Sequence, residues 1–105
     1  MYARNLTLHL KANTAIEFTR MVEKDVLPVL RKQTGFKDEI TFVAASRNEA
    51  VAISLWDKQA SADAYNRDTY PQVLKSMAKV VEGTPELGGY EVSNSTFHNI
   101  SAARS

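Results

Sequence analysis

Residues 49–57 are apolar at both alternating parities: Val51, Ile53 and Leu55 on one, Ala50, Ala52 and Trp56 on the other, with Ser54 as the polar interruption. A strand with one wet face alternates apolar and polar residues, so this near-continuous run predicts a central strand with both sheet faces out of water. Upstream, Leu6, Leu8 and Leu10 alternate with Asn5, Thr7 and His9, the period of a first strand. Thr14 to Glu17 has the form of a capping box and opens a helix expected over 14–34. Ala15, Phe18, Val22, Val26, Val29 and Leu30 form its apolar stripe. Pro28 predicts a kink, because it removes an amide donor and crowds the carbonyl of Lys24, and Gly35 ends the helix as a left-handed cap.

Residues 36–46 supply a second strand, joined to the central one by a short hairpin connection at Arg47 and Asn48. Asp57 is placed to cap a short helix through Tyr65, and Pro71 falls in the first turn of a second helix after a break at 67–69. Val73, Leu74, Met77, Val80 and Val81 form that helix's apolar stripe. The segment 83–89 is rich in glycine and proline and reads as a loop before a last strand over 90–100. The order βαββαβ predicts an α+β, ferredoxin-like two-layer sandwich, with helices on one side of a four-stranded antiparallel sheet. The other sheet face is then apolar and bare. At ~25 cal/mol per Å², covering several hundred Å² offers on the order of 10 kcal/mol before association costs, so a homodimer joined sheet to sheet is expected.

Length and composition narrow the function. The 105 residues suffice for one domain, 1–105, with 101–105 expected as a flexible tail. Thirteen basic against 12 acidic residues, without a basic run, argue against nucleic acid. The absence of cysteine removes disulfides, thiolate metal sites and thiol nucleophiles. Neither a signal peptide nor a membrane span is expected from the polar-spaced start, and a cytoplasmic setting follows as the expectation. No carboxylate and histidine cluster has metal-ligand spacing, and Gly88-Gly89 precedes a strand where a phosphate loop would precede a helix.

Over nearly its whole length the chain resembles the antibiotic biosynthesis monooxygenase-like domains of the dimeric α+β barrel superfamily. The resemblance is carried by Pro28 in the first helix, Gly35-Phe36, Ser54-Leu55-Trp56 before a short helix, Ala64-Tyr65, Tyr70-Pro71, Glu82-Gly83 and Tyr90-Glu91-Val92. It implies a homodimer whose two sheets close into a barrel, and a ligand pocket between sheet and helices in each subunit. Members of this kind oxidise quinols or polyketide aromatics without metal or flavin, so no cofactor is implied. Others degrade haem, but the histidine ligand of those members would fall among Val73, Leu74 and Met77, and their asparagine and tryptophan near Arg4 and Tyr65.

The candidate ligand-binding residues are Tyr65 and Tyr70 around the helix break, Trp56 at the strand end, and Phe18, Val22, Leu74 and Met77 between helix and sheet. The same residues would also make an ordinary core. His9 and His98 are candidate bases for taking a phenolic proton, since theirs are the side chains that ordinarily titrate near neutrality. The acids Asp38 and Glu39 read as a solvated face. Two functions follow: cofactor-independent monooxygenation of a small aromatic or quinol-type molecule in an apolar pocket, or a non-catalytic homodimer that binds a small hydrophobic metabolite or serves assembly.

Overall fold

Strand β1 (Tyr2–Leu10) places Arg4, Leu6, Leu8 and Leu10 in the interior and leaves His9 in solvent, as its period-two pattern requires. A computed structural model describes residues 1–98. In it four strands form one antiparallel sheet in the order β2-β3-β1-β4, and the helical segments pack on one of its faces, the ferredoxin-like arrangement expected from the element order. The expected tail, 101–105, and the last two positions of the expected final strand, 99–100, lie outside the described residues.

The first helical region is three pieces where the sequence predicts one kinked helix. Helix α1 (Ala15–Met21) passes into a π-helical turn (Val22–Val26) and then into α2 (Leu27–Arg31), whose first turn holds Pro28. Pro28 cannot donate to the carbonyl of Lys24, and the chain absorbs that loss one turn earlier by widening, with Leu27 N–H bonded back to Val22 O. The capping box is not formed. Thr14 Oγ1 donates instead to the Lys11 carbonyl at 2.6 Å, and no side chain caps the helix start. Gly35 takes the left-handed conformation (φ 84°) expected of it.

Strand β2 (Phe36–Ala44) turns through Ala45–Arg47, with Asn48 left-handed, into β3 (Glu49–Trp56). Helices α3 (Gln59–Asp68) and α4 (Tyr70–Ser76) meet at Thr69, with Pro71 at the start of α4. Asp57 does not cap α3 at the backbone; its carboxylate accepts from Ser61 Oγ at 2.6 Å. The last strand departs furthest from the sequence pattern. β4 spans Val81–Glu91 where the pattern predicts 90–100, and it incorporates the glycine-rich segment. Thr7 pairs with Glu86 and His9 with Glu82, so residues 83–85 bulge opposite Leu8. A bulge is the place within a sheet where Gly83 (φ 68°) and Pro85 do little harm to the ladder.

The two faces of β3 differ in the size of their side chains. Ala50, Ala52, Ser54 and Trp56 point to the helices, while Val51, Ile53 and Leu55 point away, beside Ile40 and Phe42 of β2, which are 48% and 52% exposed. The helix side is filled by Leu6, Leu8, Leu10, Phe18, Trp56, Val73, Met77 and Val80. Apart from Trp56 at its end, β3 thus turns its larger side chains away from the helices and its small ones, Ala50, Ala52 and Ser54, beneath them, which leaves space over Ala52 and Ser54.

Candidate functional site

That space is a cavity of about 30 Å³ between the sheet and the helices, walled by Leu6, Phe18, Val22, Val73 and Met77 and carrying a polar corner of Arg4, Glu39, Ser54, Tyr65 and Tyr70. The strand register builds the corner. Glu39 on β2 lies opposite Ser54 on β3, and Ser54 lies opposite Arg4 on β1. Directly paired residues share a face, so three adjacent strands present a carboxyl, a hydroxyl and a guanidinium in one row beneath α3 and α4.

Arg4 is the unusual member, being only 5% exposed and lacking an acidic partner within ion-pair distance among the described residues. Its Nε donates to Asn66 Oδ1 at 2.5 Å, and its guanidinium carbon lies 4.3 Å from the ring centre of Tyr70 and 5.0 Å from that of Tyr65. Nη2 is buried without an acceptor among the described residues. Burial pulls the Arg4 guanidinium below its ordinary range, and the two tyrosines partly offset this, Tyr70 through its hydroxyl as well as its charge, although that hydroxyl does not reach Nη2 at full hydrogen-bond geometry. Aromatic faces attract a cation, but they are weaker partners than the carboxylate that usually accompanies a buried arginine.

The tyrosines are held from behind. Trp56 is fully buried, its indole Nε1 donates to Ser54 Oγ at 2.9 Å, and its ring stacks against Tyr65 at 5.3 Å and edge-on against Phe36 at 5.6 Å. Burial pushes the Tyr65 phenol up to about 12, so it stays neutral at physiological pH. Burial likewise raises Tyr70, against the pull of Arg4. Glu39 is raised above the usual carboxylate range by burial, opposed by the hydrogen bond it accepts from Thr41 Oγ1 at 2.5 Å.

Of the residues singled out from sequence, Tyr65, Tyr70, Phe18, Val22 and Met77 border the cavity. Trp56 and Leu74 do not border it; Trp56 backs Tyr65, and it is Val73 of α4 and Met77 just past its end that reach the space. His9 is exposed on the opposite sheet face, and His98 lies with its Nε2 2.7 Å from Asp38, beside Ile40 and Leu55 on that same side. Glu39 corrects the reading of a solvated acidic pair, for Asp38 is exposed while its neighbour turns under the helices. Arg4 was legible by parity, since it alternates with Leu6 and Leu8. Glu39 was not, because β2 places two residue steps, Phe36 to Asp38, against one step of β3, and this bulge shifts the parity of all that follows.

A second space adjoins the cavity. A cleft of about 210 Å³ between the π-helical turn and β2, lined by Thr19, Val22, Glu23, Leu27, Glu39, Thr41 and Val43, shares Val22 and Glu39 with it. Among the described residues no group of histidine and acidic side chains is arranged to hold a metal ion, and no helix is long and apolar enough to cross a membrane.

No protein-family model matches the chain, and no curated protein matches it. Solved structures do. The chain is similar to SnoaB, a cofactor-independent oxygenase from Streptomyces nogalater solved as a mutant, with TM-score 0.71 at 15% identity over 90% of this chain and 95% of that one. It is similar to the ActVA-Orf6 monooxygenase of Streptomyces coelicolor, solved with nanaomycin D, at TM-score 0.73 and 10% identity over 87% and 86% of the two chains. A Deinococcus radiodurans protein assigned as an antibiotic biosynthesis monooxygenase gives TM-score 0.72 at 14% identity over 90% and 95%. The chain thus has the fold of the antibiotic biosynthesis monooxygenase-like proteins, as its residue pattern led one to expect.

Proposed function

We propose that the protein is a cofactor-independent monooxygenase of a small aromatic or quinol-type molecule, acting as a single domain over residues 1–105 in the cytoplasm. The observation that carries this reading is the polar corner set into an otherwise apolar cavity, since a site that only filled space would have no use for a buried guanidinium and phenol beside a half-buried carboxyl and a half-buried second phenol. The fold shared with two oxygenases supports it.

In this reading the substrate enters between the π-helical turn and β2, displacing Val22 and Glu39, and its ring lies among Phe18, Val22, Met77, Tyr65 and Tyr70. Trp56 holds Tyr65 in place, and Leu74 supports α4. Ionised Glu39 takes the phenolic proton. The electron-rich phenolate then reduces dioxygen, a C–O bond forms at a ring carbon, and Glu39 returns its proton to the peroxide. Loss of the ring C–H proton with cleavage of the O–O bond releases water and leaves a carbonyl. The balance is phenol plus O₂ giving quinone plus water, with all four electrons drawn from the substrate.

The functional unit is a homodimer. Val51, Ile53, Leu55, Ile40 and Phe42 are the apolar surface that a second sheet would cover, and Asn5 Oδ1, on the same side and buried without a partner among the described residues, would find a donor there.

Oxygen uptake with 1-naphthol and a panel of simple phenols and quinols tests the activity. Turnover is expected to rise with pH as Glu39 loses its proton, with the midpoint above the ordinary carboxylate range, and Glu39→Gln is expected to lower kcat by about 10²-fold or more. The narrowness of the cavity, about 30 Å³, favours a second reading, a non-catalytic homodimer that binds a small hydrophobic metabolite or serves assembly. Oxygen uptake no faster than in buffer across the panel would leave that second reading standing.

A further inference from the structure

We infer that the cavity is an anion site, in which the free edge of Arg4 receives the ionised oxygen of a planar aromatic ligand, a phenolate or an aryl carboxylate. The inference rests on reading the cavity as a ligand site and adds the charge of what occupies it. A guanidinium carries five N–H donors and cannot be neutralised at ordinary pH, so its burial calls for acceptors. Here Nε is spent on Asn66, the cation lies against the rings of Tyr65 and Tyr70 and within the influence of the Tyr70 hydroxyl, and Nη2 has no acceptor at full hydrogen-bond geometry among the described residues. The acid that lines the same cavity, Glu39, accepts from Thr41 and is not within ion-pair distance of Arg4. Aromatic rings already flank the cation, so a flat ligand that brings an anionic oxygen to Nη2 has its ring placed among apolar and aromatic walls.

An arginine kept only for structure would have its donors satisfied, because an unmet buried charge destabilises the fold. Replacing it with an apolar side chain of similar length then removes an unfavourable burial along with the ligand's partner. Arg4→Met is accordingly expected to melt at or above the wild-type temperature while losing anion binding, a combination that a structural arginine would not produce.

The decisive probe is 4-nitrophenol, whose two ionisation states differ in visible absorption. Titrated with excess wild-type protein, its apparent pKa is expected to fall by at least one unit, which means phenolate bound at least tenfold more tightly than phenol. With Arg4→Met the shift is expected to vanish, and with Arg4→Lys, which keeps the charge but not the fork, to shrink. In parallel, benzoate is expected to raise the wild-type melting temperature more than benzyl alcohol does. A pKa that is unchanged or raised while benzyl alcohol binds as well as benzoate would overturn the anion site and leave a neutral ligand pocket intact. No binding of nitrophenol, benzoate or benzyl alcohol would overturn the pocket as well. The wild-type comparison of benzoate with benzyl alcohol decides the matter even if Arg4→Met fails to fold.

Discussion

Arg4 and Glu39 differ in how far their positions were readable from the residues around them. Arg4 sits in an unbroken alternation and is buried because Leu6, Leu8 and Leu10 share its parity. What its neighbours in sequence could not show is that Asn66 and two tyrosines would be its company, since those lie some 60 residues away and meet it only across the helix and sheet layers. Tyr65 offers a test of that packing. Its phenol is held up at about 12 from an ordinary value of 10, so the neutral form is favoured by the fold. The associated stability is complete below pH 10 and is lost as pH rises through about 12, a loss on the order of 2 to 3 kcal/mol. Denaturant unfolding followed from pH 8 to 11.5 is expected to show wild type weakening more steeply than Tyr65→Phe above pH 10. Parallel decline of the two proteins would mean that Tyr65 is solvated and not packed against Trp56.

At the scale of elements, the sequence located helices and strands well and misplaced their ends where a local signal could be satisfied in two ways. Pro28 announced a disturbance, but not that it would be absorbed as a π-helical turn whose Val22 and Val26 line the cavity. Glycine and proline at 83–89 read as a loop, yet a bulge in a sheet has the same appetite for them, and only pairing with β1 decides between the two. Gly35 was legible because its demand is purely local, a left-handed backbone at a helix end. The structure adds a second demand: a Cβ there would overlap Asp57 and Ser61, whose carboxylate and hydroxyl are bonded to each other across the start of α3. Gly35→Ala is expected to destabilise by about 2 to 4 kcal/mol, a fall of roughly 10 to 20 °C in Tm. Gly83→Ala, with open space around the same kind of backbone, is expected to cost about 1 kcal/mol. Equal losses in thermal melts would show that backbone strain alone matters at Gly35.

For the whole molecule, the question is the bare sheet face. Its apolar side chains are the branched aliphatic ones of β3, Val51, Ile53 and Leu55, joined by Phe42 and Ile40, and the segment carrying Phe97 and His98 lies beside one part of it. Exposure of this kind on a lone chain marks an interaction surface. The proposed homodimer makes a direct expectation: wild type sediments as a dimer at micromolar concentration, and Ile53→Asp, which places a charge at the centre of the face, sediments as a monomer. Ala52 and Ser54 lie on the other side of the same strand, so the variant leaves the cavity's own lining unaltered. A monomeric wild type would overturn the dimer, and an Ile53→Asp protein that remains a dimer would place the interface elsewhere.

Period-two and helical apolar spacing, together with Gly35 and the hairpin at Asn48, determined the element order, the antiparallel ferredoxin-like sheet and the presence of an apolar surplus on β3. These are matters of local sterics and of how much hydrophobic surface one strand carries, and both are written in neighbouring residues. Only the tertiary structure decided which parity of β3 faces the helices, that small residues there leave a cavity, and that Arg4, Glu39, Ser54, Tyr65 and Tyr70 meet in it. The physical reason is that such a corner depends on register between strands and on the depth of helix packing, and one bulge in β2 is enough to exchange an acid in water for an acid under a helix.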